Sequence, residues 1–130
     1  MPLDTERREV SYLLGRLFAI LEKTQTDAVN VKATIKDRFF SAASATPASV
    51  FPRLICLSQH HIEKAEYGHI SDRRIAGIMD HIEGFPAHMN LQEQGLFAIA
   101  YYHQKNAIAR EIKEASAKKK AEKGEGGENE

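Results

Sequence analysis

Residues 10–21 read Val10-Ser11-Tyr12-Leu13-Leu14-Gly15-Arg16-Leu17-Phe18-Ala19-Ile20-Leu21. Val10, Leu13, Leu14, Leu17, Phe18 and Leu21 recur at three- and four-residue spacing, which winds them into one apolar stripe on an α-helix. Arg7, Arg8, Glu9, Arg16, Glu22 and Lys23 fall mostly on the opposite side. Asp4 or Thr5 offers a start cap, so the pattern sets a helix over about 5–25. Gly15 sits mid-pattern, where glycine costs about 1 kcal/mol against alanine. A close helix–helix approach at that point accounts for it.

The same periodicity carries on along the chain. A second helix over about 31–43 places Ile35, Phe39 and Ala42 on one face. Small residues then lead to Thr46-Pro47, a cap with proline at the first helical position, where its missing N–H costs nothing. The third helix runs to about Lys64, with Pro52 expected to bend it or delay its start. The fourth covers about 71–82 through Ile75, Ile78, Met79 and Ile82, and Gly84-Phe85-Pro86 is the expected glycine stop. Asn90-Leu91-Gln92-Glu93 has the form of a capping box and opens a fifth helix that weakens toward Lys118. No alternating pattern suggests paired strands. The expected architecture is all-α: a bundle of about five helices over 1–117, with a disordered, charged C-terminal tail over 118–130.

Composition narrows the class. The chain has 130 residues, with 18 Lys+Arg against 18 Asp+Glu. Zero net charge excludes a broadly basic histone-like binder and an acidic disordered chain. The single cysteine, Cys56, excludes an intrachain disulfide framework, and its apolar setting Leu54-Ile55-Cys56-Leu57 reads as a small buried hydrophobe. The charged start lacks the apolar core of a signal peptide, and no stretch reaches the length of a membrane span. A cytoplasmic protein is the expectation.

Enzyme signatures do not assemble. The six histidines, His60, His61, His69, His81, His88 and His103, lack the His-Glu-x-x-His spacing of a zinc site. Neither glycine-rich phosphate loop is present, and no serine lies in a nucleophile elbow. Asp80 and Glu83 beside His81 read as a solvated helix end. The expectation is a non-enzyme without metal or cofactor.

Charge is unevenly spread. Residues 31–76 carry seven bases (Lys32, Lys36, Arg38, Arg53, Lys64, Arg73, Arg74) and four acids (Asp37, Glu63, Glu66, Asp72), whereas 77–95 carry only the acids Asp80, Glu83 and Glu93. A segregated basic face suits a phosphodiester backbone, held without sequence preference and weakened by salt.

Several blocks, in order, resemble a known family. They are Tyr12–Lys23, Thr34–Leu54, Ser58-Gln59-His60-His61, Phe85-Pro86-Ala87-His88, Gln94-Gly95-Leu96-Phe97-Ala98 and Tyr101-Tyr102-His103-Gln104. Together they are similar to the C-terminal region of the large subunit of the type I-C CRISPR Cascade complex. A chain that starts at its own methionine and lacks the large N-terminal part resembles the small subunit translated from an internal start of that gene. The resemblance implies an all-helical, non-enzymatic subunit. Its implied partners are the backbone subunits, the large subunit, further copies of itself and the guide RNA complex. It would hold target DNA, chiefly the displaced non-target strand, while guide pairing supplies sequence specificity. By charge, and not by family motif, Lys32, Lys36, Arg38, Arg53, Arg73 and Arg74 form the expected DNA-facing set. Phe39, Phe40 and Phe51 read as core, not as base-stacking platforms. Tyr101-Tyr102-His103 reads as core on one side and subunit contact on the other. A protein-interaction module that only braces its neighbours is the alternative, and a small helical hydrolase the third reading.

Overall fold

A computed structural model describes residues 3–28, 35–64 and 68–128, with the side chains of Lys64 and 122–128 outside that description. Five helices follow one another: α1 (Val10–Ala28), α2 (Ile35–Ala45), α3 (Pro47–Lys64), α4 (Gly68–Met79) and α5 (Leu91–Glu128). No strand occurs among the described residues. The bundle is all-α, as its periodicity predicts.

Helix α1 is the axis, and each of the other four packs on it. Leu13, Leu14, Leu17 and Phe18 are fully buried. The stripe reading gives α1 one apolar face and one polar face, and here the structure differs. Between Ser11 and Leu21 every residue is buried except Arg16, which is half-buried. Neighbours surround the helix, so even Glu22 is enclosed, with the Tyr101 hydroxyl donating to its Oε1 at 2.5 Å. Such a donor satisfies a carboxylate that burial would otherwise penalise.

Gly15 sits where α1 meets α5. A Cβ there would lie 2.2 Å from the Phe97 carbonyl oxygen and 2.7 Å from the Ala100 Cβ, so only glycine permits this approach. Around it Phe18 meets Phe40, Phe97 and Tyr101 edge-on at ring-centroid distances of 5.7, 5.8 and 5.8 Å. That is the arrangement ring quadrupoles favour. Phe51 is fully buried, and Phe39 and Phe40 pack against the core.

The helix ends follow local chemistry. α1 starts at Val10 and not near Thr5, because the preceding residues fold back on the helix instead of joining it. The Asp4 backbone N–H donates to the Tyr12 hydroxyl at 2.9 Å, and Arg8 Nη1 donates to the Thr5 carbonyl at 2.7 Å. The Gln25 side chain caps α2, its Oε1 accepting from the Ile35 N–H at 3.0 Å. α3 begins on Pro47, and an orphan donor of its first turn, the Ala48 N–H, reaches the Pro86 carbonyl at 3.0 Å. The Met89 N–H reaches the Ala45 carbonyl at 2.9 Å. These two bonds sew the 80–90 segment to the α2–α3 corner, where Phe85 stacks on Phe51 at 5.4 Å. The expected capping box at α5 is reciprocal: Asn90 Oδ1 accepts from the Glu93 N–H at 2.9 Å, and Glu93 Oε1 accepts from the Asn90 N–H at 3.0 Å.

Two further expectations need correcting. α4 ends at Met79, where tight turns from His81 to Ile78 and from Ile82 to Met79 take over; Gly84 is not its stop, and no described glycine has a positive φ. Cys56 is exposed. On α3 the inward side belongs to Val50, Phe51, Leu54 and Ser58, and Cys56 lies about 200° round from Leu54. Continuing from the bundle, α5 is exposed from Ala109 to Ala121, which includes the start of the charged tail. Among the described residues no helix is long and apolar enough to cross a membrane.

Candidate nucleic-acid interface

The six bases expected to face DNA fall on three helices and one undescribed position. Lys32 lies outside the described residues. Arg38 on α2, Arg53 on α3 and Arg73 on α4 are exposed, and none of them forms an ion pair with a described residue. Their guanidinium groups are therefore available to an external anion.

Lys36 and Arg74 are held differently. Lys36 Nζ donates to the Tyr102 hydroxyl at 3.1 Å and stands 5.2 Å from the Tyr102 ring centroid and 5.7 Å from that of Tyr101. The hydrogen bond to Tyr102 raises its pKa against a small opposing effect of burial, so its charge is secure. Arg74 Nη2 donates to Glu111 Oε2. Tyr102 and Glu111 are nine residues apart on α5, which is about 180° around the helix and roughly 13.5 Å along it. Lys36 and Arg74 thus approach α5 from opposite sides, and the five described bases do not make one continuous patch.

Helices α2, α3 and α4 wrap α1 in succession, and α2 closes against α5. Between α4 and α5 the ring stays open, since those two helices do not pack together. A cleft of about 370 Å³ occupies the gap. Arg16 and Ile20 of α1 form its floor; Arg74, Ile78 and His81 line one wall, Gln104 and Glu111 the other, and Leu3, Thr5 and Arg8 close one end. Three arginines meet one carboxylate there. Arg16 Nε donates to Gln104 Oε1 at 2.9 Å, and Arg16 forms no ion pair with a described residue. Burial, aided by the charge of Arg8, lowers its pKa from the ordinary arginine value against the pull of Tyr12 and Asp4.

Arg8 and Arg16 were not in the sequence-derived set. The signal that finds Arg16 is its place as the lone cation inside an apolar run. Its significance appears only once α4 and α5 are seen to leave it uncovered. A second cleft, of about 480 Å³, lies over α1, α2 and α5, with Lys23, Lys36 and Lys105 set against Glu22 and Asp37. Lys23 pairs with Asp27 at 2.7 Å and Lys105 with Glu22 at 3.8 Å, so its charge is largely compensated.

Other chemistry is sparse among the described residues. No group of three or more His, Cys, Asp or Glu side chains is placed to hold a metal ion. His60, His69, His81 and His88 are exposed, and His103 has a buried Nδ1 without a hydrogen-bond partner. Along α5, Leu91, Ile99 and Tyr102 are 84%, 49% and 46% exposed and fall within about 80° of one another around the helix.

Comparison with protein families finds a match over residues 1–109 to the model described as CRISPR-associated protein (Cas_Csd1). Comparison with curated proteins finds no match.

Proposed function

We infer a function from one premise: the chain belongs to the CRISPR-associated protein family Cas_Csd1. We propose that it is the non-catalytic small subunit of a type I-C Cascade complex. In this reading it lines the assembly beside the backbone and large subunits and steadies opened target DNA, chiefly the displaced strand. The observation that carries the DNA contact is the group of exposed arginines that form no ion pair with a described residue, Arg38, Arg53 and Arg73, on three consecutive helices of a chain with no net charge.

The energetics suit that role. Opening a target exchanges one duplex for another of similar stability, so a few phosphate contacts tip the balance. Weak binding by the separate chain is sufficient, because placement beside the guide supplies a high local concentration. A strongly basic chain would instead be held by bulk nucleic acid.

The test is direct. Complexes carrying Lys36→Ala, Arg38→Ala and Arg53→Ala together should load guide RNA normally. They should lose R-loop stability, with a shallower dependence on salt. Unchanged R-loop stability across a salt series would sink the DNA-facing assignment. Crosslinking from this subunit to the displaced strand is expected.

The exposed stripe of Leu91, Ile99 and Tyr102 favours a second reading, a bracing module that touches protein only. In that case charge reversal at Arg38 and Arg53 leaves DNA affinity alone, while Leu91→Asp or Ile99→Asp blocks co-purification with the other subunits.

A further inference from the structure

We propose that the cleft between α4 and α5 is a phosphate site for a nucleic-acid strand, with Arg16 at its floor and Glu111 occupying the anion's place on Arg74 when no strand is bound. The inference rests on the reading that this chain contacts DNA, and it adds Arg8 and Arg16, which lie outside the basic segment 31–76.

Four observations converge. Arg8 and Arg16, at the start of the chain, and Arg74, far along it on α4, are brought by the fold to one cleft. Arg16 is half-buried, anchored through Nε alone, and in no ion pair with a described residue. Its terminal nitrogens remain as a donor pair of the kind that grips phosphate oxygens. The apolar surfaces of Ile20 and Ile78 lower the local dielectric, which strengthens any charge pairing made there. Finally, Arg74 already carries a carboxylate, that of Glu111, which is itself more than half exposed. An exposed carboxylate on a long side chain is a weak partner and swings aside readily. A phosphodiester brings the same charge with fixed geometry and reaches Arg16 as well. Asp4 is an acid that acts on Arg16 through its charge, and its Oδ1 is engaged by the Glu6 N–H at 3.0 Å.

The other cleft does not compete for this assignment, because Glu22 and Asp27 already balance two of its lysines. Lone exposed arginines elsewhere offer a single guanidinium each. In the α4–α5 cleft several donors converge on one volume, which fixes where the backbone passes.

The experiment uses the full chain and a fluorescently labelled oligothymidylate, followed by anisotropy over a salt series. Arg16→Gln should weaken binding roughly threefold to tenfold and reduce the slope of log K against log salt by about 0.7, the value of one lost contact on a single strand. Glu111→Gln should tighten binding at least threefold, a gain that misfolding cannot produce. Glu114→Gln, an equal charge change three residues further along α5, should have a smaller effect. Parental affinity in Glu111→Gln, or equal tightening by Glu114→Gln, overturns the site. If Arg38→Ala with Arg53→Ala weakens binding while the cleft variants do not, the cleft assignment fails and the DNA-binding reading stands. If the parental chain does not bind the oligonucleotide even at low salt, and R-loop stability ignores all of these variants, the DNA-binding reading fails and takes the cleft with it.

Discussion

Helix α5 meets α1 and α4 in ways that could hardly differ more. Against α1 it lies so close that Gly15 has no room for a methyl group, and four aromatic rings interlock beside the seam. Against α4 it makes no packed interface, and among the described residues one ion pair spans the gap. The first contact is close-packed and geometrically unforgiving; the second is polar and open. Stability therefore concentrates on the α1–α5 seam. The α4–α5 side contributes little to it, since among the described residues those two helices do not pack together.

The sharpest way to break this contrast is Gly15→Val. Overpacking usually costs about 1–3 kcal/mol, but here the obstacle is backbone, which does not move aside. We expect no folded population, read as loss of a cooperative thermal transition by circular dichroism. A folded Gly15→Val chain would show that the seam is looser than described. Phe18→Ala removes the ring that all the others touch and should cost about 3–5 kcal/mol in urea unfolding.

Tyr101→Phe probes the polar bond inside the same seam. Loss of a buried hydrogen bond to a charged group is worth about 1.5–3 kcal/mol. Burial first, then the bond to Glu22, holds the Tyr101 phenol well above its ordinary pKa of 10.0. The folded state therefore keeps a proton that the unfolded state releases. That contribution is whole below pH 10 and falls as pH rises above it. The stability difference between the parent and Tyr101→Phe should narrow between pH 9 and 11, and a constant difference would contradict the assignment. Arg74→Ala, on the open side, should change stability by no more than about 1 kcal/mol. A larger loss would mean that α4 and α5 depend on each other after all.

The same contrast explains what the sequence reveals. Helix α1, the capping box at Asn90 and Glu93, proline at the start of α3 and the tight approach at Gly15 are local or periodic features, and short-range patterns carry them. The surroundings of Glu22 and Arg16 are not. Tyr101 lies 79 residues from Glu22, and Gln104 lies 88 residues from Arg16. A stripe on a helix also says which side is buried first, not whether a second neighbour closes the other side. For that reason Arg7, Arg8, Arg16 and Glu22 read as one polar face, while the structure encloses Glu22 and leaves Arg16 at the floor of a cleft. Cys56 was misjudged for a related reason. A run of apolar letters on a helix spans more arc than its neighbours cover. The bases of residues 31–76 were legible as a composition bias. Their division into exposed arginines and a lysine held at the α2–α5 seam depends on α5, which lies far along the chain.

The seam between α1 and α5 also sets a schedule. Gly15 and Phe97 are separated by about 80 residues, and ribosomes add roughly 5–20 residues per second. For some 4–16 seconds after α1 is made, the helix that is to be buried on almost every side has no α5 to cover it. During that time its leucines and Phe18 are open to any apolar surface nearby, including another nascent copy. A protein assembled in this order gains from chaperone capture during synthesis, and slowed translation ahead of Leu91 should raise the fraction that aggregates.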